Sequence, residues 1–316
     1  MSLGNIYTKI ALCSPYIESL LRKTYWYNIK TLSRFNPFSS NSIRKVKDKN
    51  TNFDDVIQFL KNNGIGEGSL LIVHSSYGEL INTGLSPNDI INKLLDLIGP
   101  TGTLAMPVIH SYKEEPSIYD MLSFNYESII CKYDVKKTPV ISGLLPYYML
   151  KRKDSVVSHH PLNPLCAIGP LAKQMMEHNI EGDSPSPHGP NSSWKFCHDH
   201  HAKIAFIGVD SEHYNTMIHV SDEALGNWRW TDEEWYQKRK FLLVDENNVQ
   251  SEITIKERKP KWGLLHYAEK NLNNDLTKNN IVKKTIINDD FMVCVEDAQQ
   301  FVSFLRNQKH KGYPYY

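Results

Sequence analysis

The segment Asn215-Thr216-Met217-Ile218-His219-Val220-Ser221-Asp222-Glu223 holds the residue types a proton-transfer site needs. On a helix, Asp222 and Glu223 follow His219 by three and four residues and share its face. A carboxylate so placed can orient one ring nitrogen and raise the basicity of the other. A general base that removes a proton from an amine nucleophile requires this. A second group, His74-Ser75-Ser76, directly follows the apolar run Leu70-Leu71-Ile72-Val73. The residue types also permit a serine hydrolase built from Ser75, His219 and Asp222, although no G-x-S-x-G elbow supports it. Cys197-His198-Asp199-His200-His201 is dense in metal ligands, yet adjacent residues seldom converge on one ion and no second cluster has zinc-like spacing, so no metal is expected.

These groups need a scaffold, and the chain reads as α/β. A helix ends at Asn63-Gly64, and the strand at 70–73 follows. Ser86-Pro87-Asn88-Asp89 starts a helix whose apolar residues Ile90, Ile91, Leu94, Leu95 and Ile98 keep helical spacing. Gly99-Pro100-Thr101-Gly102 turns into an apolar strand at 103–108. Helices at 141–152, 170–179 and 216–225 and a strand at 204–209 continue the alternation, which predicts a three-layer α-β-α mixed sheet with substantial parallel pairing. Ligands of such sheets sit at the carboxyl ends of strands, which points to His74–Ser76, the segment after Val108, and Asp210–His219. Strands expected at 240–244, 251–255 and 291–295 suggest a smaller antiparallel C-terminal subdomain.

Composition excludes several classes. The 316 residues are 41% hydrophobic and 22% charged, as in an ordinary globular chain rather than a disordered or disulfide-stapled one. With 36 Lys and Arg against 35 Asp and Glu, the net charge of +1 gives no nucleic-acid footprint. No apolar run reaches the roughly 18 residues of a membrane span, and no signal-peptide pattern opens the chain, so a cytoplasmic location is expected. Five scattered cysteines suit reduced thiols. Residues 1–50 carry nine basic and two acidic residues, a net +7 that leaves −6 on the remainder. They read as a basic extension ahead of one domain at 51–316, serving as a packing or dimerisation element and leaving room for a homodimer.

Read together, six ordered motifs resemble the aminoglycoside 3-N-acetyltransferase family, also called antibiotic N-acetyltransferases. They are Val73-His74-Ser75-Ser76, Gly99 to Pro107, Gly143-Leu144-Leu145-Pro146, Ser158-His159-His160-Pro161 with Ala167-Ile168-Gly169-Pro170, Pro187 to Ser192, and Asn215 to His219. The resemblance covers roughly residues 53–270. It implies an acyl-CoA-dependent transfer, of acetyl or another short acyl group, onto the amine of an amino sugar by direct attack. His219 would be the general base, and Asp222 or Glu223 would orient it. The His74-Ser75-Ser76 loop would lie along the thioester, with Ser75 and neighbouring N–H groups on the oxyanion. Thr103, His160 and Ser192 complete the set that the resemblance places on acyl-CoA.

This sequence departs from the family pattern at Tyr147, Val157 and Pro164, which bears on the acceptor. The basic extension favours a nucleotide-linked amino sugar, whose diphosphate needs cations. The alternative acceptor is an aminoglycoside, whose ammonium groups favour the acidic body.

Overall fold

The apolar strand Leu70–Ser75 (β1) becomes the centre of a seven-stranded sheet in a computed structural model that describes residues 3–33, 51–223, 232–288 and 290–310. In chain order the other strands are Thr103–Pro107 (β2), Ile130–Asp134 (β3), Val156–Val157 (β4), Leu165–Ile168 (β5), Lys203–Ile207 (β6), Tyr236–Val244 (β7), Gln250–Arg258 (β8), Lys283–Ile287 (β9) and Phe291–Asp297 (β10). The large sheet runs β4-β5-β2-β1-β6-β10-β9, with β1 parallel to both β2 and β6. Antiparallel strands β5 and β10 flank this parallel centre. The carboxyl ends of β1, β2 and β6 therefore open on one edge.

Burial on both faces explains the unbroken apolar runs. Leu71, Val73, Leu104, Met106 and Ile207 pack beneath helices Phe53–Asn62, Pro87–Ile98 and Leu144–Leu150. Leu70, Ile72, Ala105 and Phe206 pack against Trp194, Phe301 and Val302 on the opposite side. Three layers result. Ser86 begins helix Pro87–Ile98 with a complete capping box to Asp89, as the Ser-Pro-x-Asp pattern predicts.

The smaller sheet differs from expectation. It runs β3-β7-β8, with β3 parallel to β7, so it is mixed rather than antiparallel and draws a strand from mid-chain. β10 instead joins the large sheet beside β6. A strand pattern states which faces are buried but not which neighbour supplies the ladder. The helices expected at 141–152 and 170–179 are shorter, Leu144–Leu150 and Ala172–Met176. Of the helix expected at 216–225, Ile218–Glu223 is observed, and 224–225 lie outside the described residues.

Two motif glycines are explained by packing. A Cβ on Gly169, whose φ is +133°, would lie 2.4 Å from the Gly102 carbonyl oxygen and 2.7 Å from Thr103 Cα. A Cβ on Gly102 would lie 2.5 Å from the Ile98 carbonyl oxygen. Backbone meets backbone at both places, so no side chain can yield. Gly169→Ala is expected to destabilise the fold by roughly 1–3 kcal/mol. A denaturation midpoint equal to wild type, at unchanged slope, would contradict this packing account.

Candidate active site

Where β1, β2 and β6 end, a cavity of about 740 Å³ opens, lined by Ser75 at the end of β1 and Ser76 after it, Pro107 at the end of β2, and Val209 after β6. It falls within the roughly 300–1,000 Å³ typical of small-molecule sites. Asn215, Thr216 and His219 close another side and Ile109 lies beside Pro107, so all three strand-end segments singled out from sequence meet at one cavity.

His74 and Ser75 enter it from opposite faces of β1. The His74 ring stacks on Phe206, with centroids 5.0 Å apart and planes at 11°, and on Trp194 at 6.1 Å. Burial pushes its imidazole down to about 3, so the ring is neutral at any working pH. Its Nε2 and the Ser75 Oγ are buried without a hydrogen-bond partner among the described residues. Buried polar atoms are rarely left so, and both residues line the cavity, which makes them ready to meet a ligand.

His219 sits on helix Ile218–Glu223, launched by an Asx turn in which the Met217 N–H donates to Asn215 Oδ1 at 3.2 Å. Its ring faces Arg258, from the end of β8. Arg258 Nη1 lies 2.8 Å from Nδ1 and Nη2 lies 3.3 Å from Nε2. A neutral imidazole accepts at only one nitrogen, so the shorter contact assigns Nδ1 as acceptor and the ring proton to Nε2. Burial, then the Arg258 charge, then His188 hold His219 well below the usual histidine range.

The two carboxylates beside His219 direct their hydrogen bonds elsewhere than the spacing implies. Asp222 Oδ1 accepts from Lys309 Nζ at 2.8 Å, and Oδ2 is buried with no hydrogen-bond partner among the described residues. Burial pushes Asp222 up to about 6, against the opposing pull of Lys309 and Arg258. Glu223, with a side chain only 2% exposed, accepts from Ser186 Oγ at 2.6 Å and lies 3.3 Å from His188 Nδ1. Burial alone would push Glu223 up, but His188, Ser186 and Arg258 outweigh it and leave the carboxyl below its ordinary value. The rings of His188 and His219 are 4.7 Å apart. Helical spacing fixed the shared face. The helices and loops packed on that face fixed the partners.

Three residues placed on acyl-CoA by resemblance do not line the cavity. Thr103 Oγ1 accepts the Leu171 N–H at 3.1 Å, His160 contacts the carbonyls of Leu162 and Pro185, and Ser192 caps helix Ser193–Asp199. Each is buried with its polar atoms engaged in holding chain segments together. The Cys197–His201 cluster also disperses: Cys197 is buried in the core, whereas His200 stacks on Phe196. Arg258 and Lys309 went unnoticed in the sequence because neither stands near a motif. Their contacts span 39 and 87 residues. His188 lay inside a quoted motif, and its neighbour Pro187 marks a turn but not the histidine's partner.

The family profile described as aminoglycoside 3-N-acetyltransferase matches residues 72–308. The chain belongs to this family. It is 25% identical over 174 residues to aminoglycoside N(3)-acetyltransferase IX of Micromonospora chalcea, covering 52% of this chain and 59% of that protein. It is 26% identical over 170 residues to aminoglycoside N(3)-acetyltransferase IV of Salmonella sp, covering 53% and 57%. The chain thus spans less than two thirds of the length of these curated relatives. Among solved structures, AAC-IIIb in a binary complex with CoASH superposes with a TM-score of 0.65 at 14% identity, covering 83% of this chain and 97% of that one. The aminoglycoside acetyltransferase AAC(3)-IIb gives 0.66 at 16%, covering 84% and 99%. At these identities the likeness shows the shared fold.

In this family member the Arg258 contact has a measurable consequence. Protonated His219 would place a cation against a cation, so Arg258 favours the neutral ring, and the base form persists into acid. Arg258→Met removes one of the causes of the depression while burial remains. The acid limb of the kcat/KM–pH profile should therefore move upward, towards the ordinary histidine value. An unmoved limb would mean that the Arg258 charge does not govern the titration that limits activity.

Proposed function

We propose that the protein transfers an acetyl group from acetyl-CoA to an amine of an aminoglycoside-type amino sugar. The observation that carries this reading is the convergence, in one strand-end cavity of a family member, of His219 with the unpartnered Ser75 Oγ and His74 Nε2. Acyl-CoA supplies an activated thioester. The chain's own groups do the rest: Ser75 Oγ–H, with adjacent backbone N–H groups, would donate to the oxygen that gains charge. His219 would take the proton from the attacking nitrogen, a nitrogen more acidic once its bond to carbon forms, at the single ring lone pair that Arg258 must first release. The N–C bond forms, the C–S bond breaks, and the thiolate leaves with the electron pair. Glu223 through His188, and Asp222 through its field, would balance the imidazolium charge.

The acceptor preference moves from the nucleotide-linked sugar to the aminoglycoside. The described lining contains no Lys or Arg to pair with a diphosphate. The names of the curated relatives point the same way. A serine-hydrolase reading is disfavoured, because Ser75 Oγ makes no hydrogen bond to a base among the described residues and Asp222 is bound to Lys309.

The test is a free-thiol release assay with acetyl-CoA against aminoglycosides and nucleotide-linked amino sugars. Thiol release that depends on the aminoglycoside is expected. Turnover confined to nucleotide-linked sugars would overturn the acceptor, and acceptor-independent hydrolysis with an acyl group trapped on Ser75 would overturn the reaction class. No helix among the described residues is long and apolar enough to cross a membrane.

A further inference from the structure

Helix Pro15–Tyr27 lies outside the matched segment 72–308, yet its buried face is wired into the cavity. Glu18, Arg22 and Tyr25 recur at helical spacing and are all buried. Glu18 accepts the backbone N–H of Lys270 at 2.9 Å and of Asn271 at 3.0 Å, and Asn271 Nδ2 at 2.7 Å. These are the first-turn donors of helix Glu269–Lys278, whose own N-cap residue, Ala268, offers no side-chain acceptor. A carboxylate more than 250 residues away in sequence supplies the missing cap. Arg22 closes the preceding helix, Pro260–Leu265. Its Nε donates to the Leu264 carbonyl and its Nη2 to the Gly263 carbonyl, each at 3.1 Å, while Nη1 lies 2.9 Å from Glu269 Oε1.

Between the two helices lies Tyr267, which lines the cavity with the Arg22 guanidinium 5.8 Å from its ring centre. Glu269 Oε1 is also 3.8 Å from His213 Nε2, and His213 and Glu212 line the same corner. Glu212 accepts from Lys270 Nζ at 2.9 Å and from Asn273 Nδ2 at 3.1 Å. Glu212, His213 and Glu269 are close enough to suggest a metal site, with ligand atoms within 4.8 Å of one another. However, Arg22 and Lys270 already stand 2.9 Å from the two carboxylates, so an added cation would meet two fixed positive charges. The cluster is a charge network that the N-terminal helix completes.

We infer that Arg22 is a positioning residue that determines acceptor specificity: by spanning Gly263, Leu264 and Glu269 it fixes the Tyr267–His213–Glu212 corner and sets that corner's charge. The inference rests on the acetyl-transfer reading for the word acceptor. A planar guanidinium reaches three acceptors from three separate nitrogens held in a rigid fork, a spread that the single nitrogen of an ammonium group does not reproduce. Geometry and charge can therefore be separated by two substitutions. The charged groups facing His213 are Asp210 at 2.9 Å, Glu212 at 3.5 Å and Glu269 at 3.8 Å, with Arg22 and Lys270 behind the two glutamates.

The experiment uses the full chain carrying Arg22→Met or Arg22→Lys. The His213 imidazole is titrated by NMR on histidine-labelled protein and assigned with His213→Gln, and acceptor and acetyl-CoA KM values are measured separately. Arg22→Met should raise the His213 pKa, because the Glu269 charge loses its counter-ion, and should raise acceptor KM about tenfold with acetyl-CoA KM within about twofold. Arg22→Lys keeps the charge, so it should leave the titration in place while still raising acceptor KM. Unchanged titration in Arg22→Met, or acceptor and acetyl-CoA KM rising together in both variants, would overturn the inference. Should Arg22→Met fail to fold, unchanged acceptor KM in Arg22→Lys overturns it alone. If wild type transfers nothing to any aminoglycoside, the acetyl-transfer reading falls, and the His213 titration still decides whether Arg22 sets the corner's charge.

Discussion

His219→Ala should lose on the order of 10²–10⁴ in turnover while keeping its thermal midpoint and its affinity for acetyl-CoA. The expectation comes from geometry first. His219 lines the cavity, and its helix begins at an Asx turn that does not involve the imidazole. Truncation therefore removes a proton acceptor without removing a support. Arg258 would lose a partner at 2.8 Å but keeps its guanidinium over Trp235, 6.0 Å from the ring centre. His188 is a rival that proximity supports, at 4.7 Å between rings. The two are separated by comparing His219→Ala with His188→Ala at several pH values. If His219→Ala turns over at a near wild-type rate and His188→Ala does not, the proton acceptor is His188. The Glu223 pairing, which sequence spacing assigned to His219, then becomes the catalytic dyad. Calorimetry with acetyl-CoA guards against a loss that merely reports a collapsed cavity.

What could be read from the sequence divides along physical lines. Local rules carried far: the capping box at Ser86, the apolar run that became β1, and the strand-end rule that placed Ser75 and His219 at one cavity. These depend on neighbours within a few residues, or on a handedness that all such sheets share. Partner choice was not legible. The i, i+3 and i, i+4 spacing placed Asp222 and Glu223 correctly on the helix but could not foresee that Lys309 and His188 would reach them from other elements. Thr103, assigned to acyl-CoA by resemblance, has a hydroxyl that holds Leu171 beside the Gly102–Gly169 backbone contact. A motif can recur because two strands must touch, with no ligand involved. The N-terminal segment read as a basic packing or dimerisation element with no named contact. Glu18 and Arg22 within it act through helix ends more than 240 residues distant, which no local pattern encodes.

Ser75→Ala should depress kcat by on the order of 10²–10³ if its hydroxyl donates to the oxyanion, with acceptor KM held within about twofold. The size depends on how many donors share the task. The Ser76 N–H is committed to the Ile207 carbonyl at 3.2 Å and is not free to help. The N–H groups of Tyr77 and Gly78 open helix Tyr77–Leu80, where no intrahelical acceptor exists for them, so they are the remaining candidates. The effect should therefore be severe but smaller than that of His219→Ala. Stability gives an independent sign. Ser75 Oγ is buried without a hydrogen-bond partner among the described residues, so replacing it by a methyl group removes an unsatisfied polar atom and should leave the thermal midpoint unchanged or raised. A drop in both midpoint and kcat would show the hydroxyl to be structural. A rise in acceptor KM at unchanged kcat would place it on the sugar rather than on the thioester oxygen.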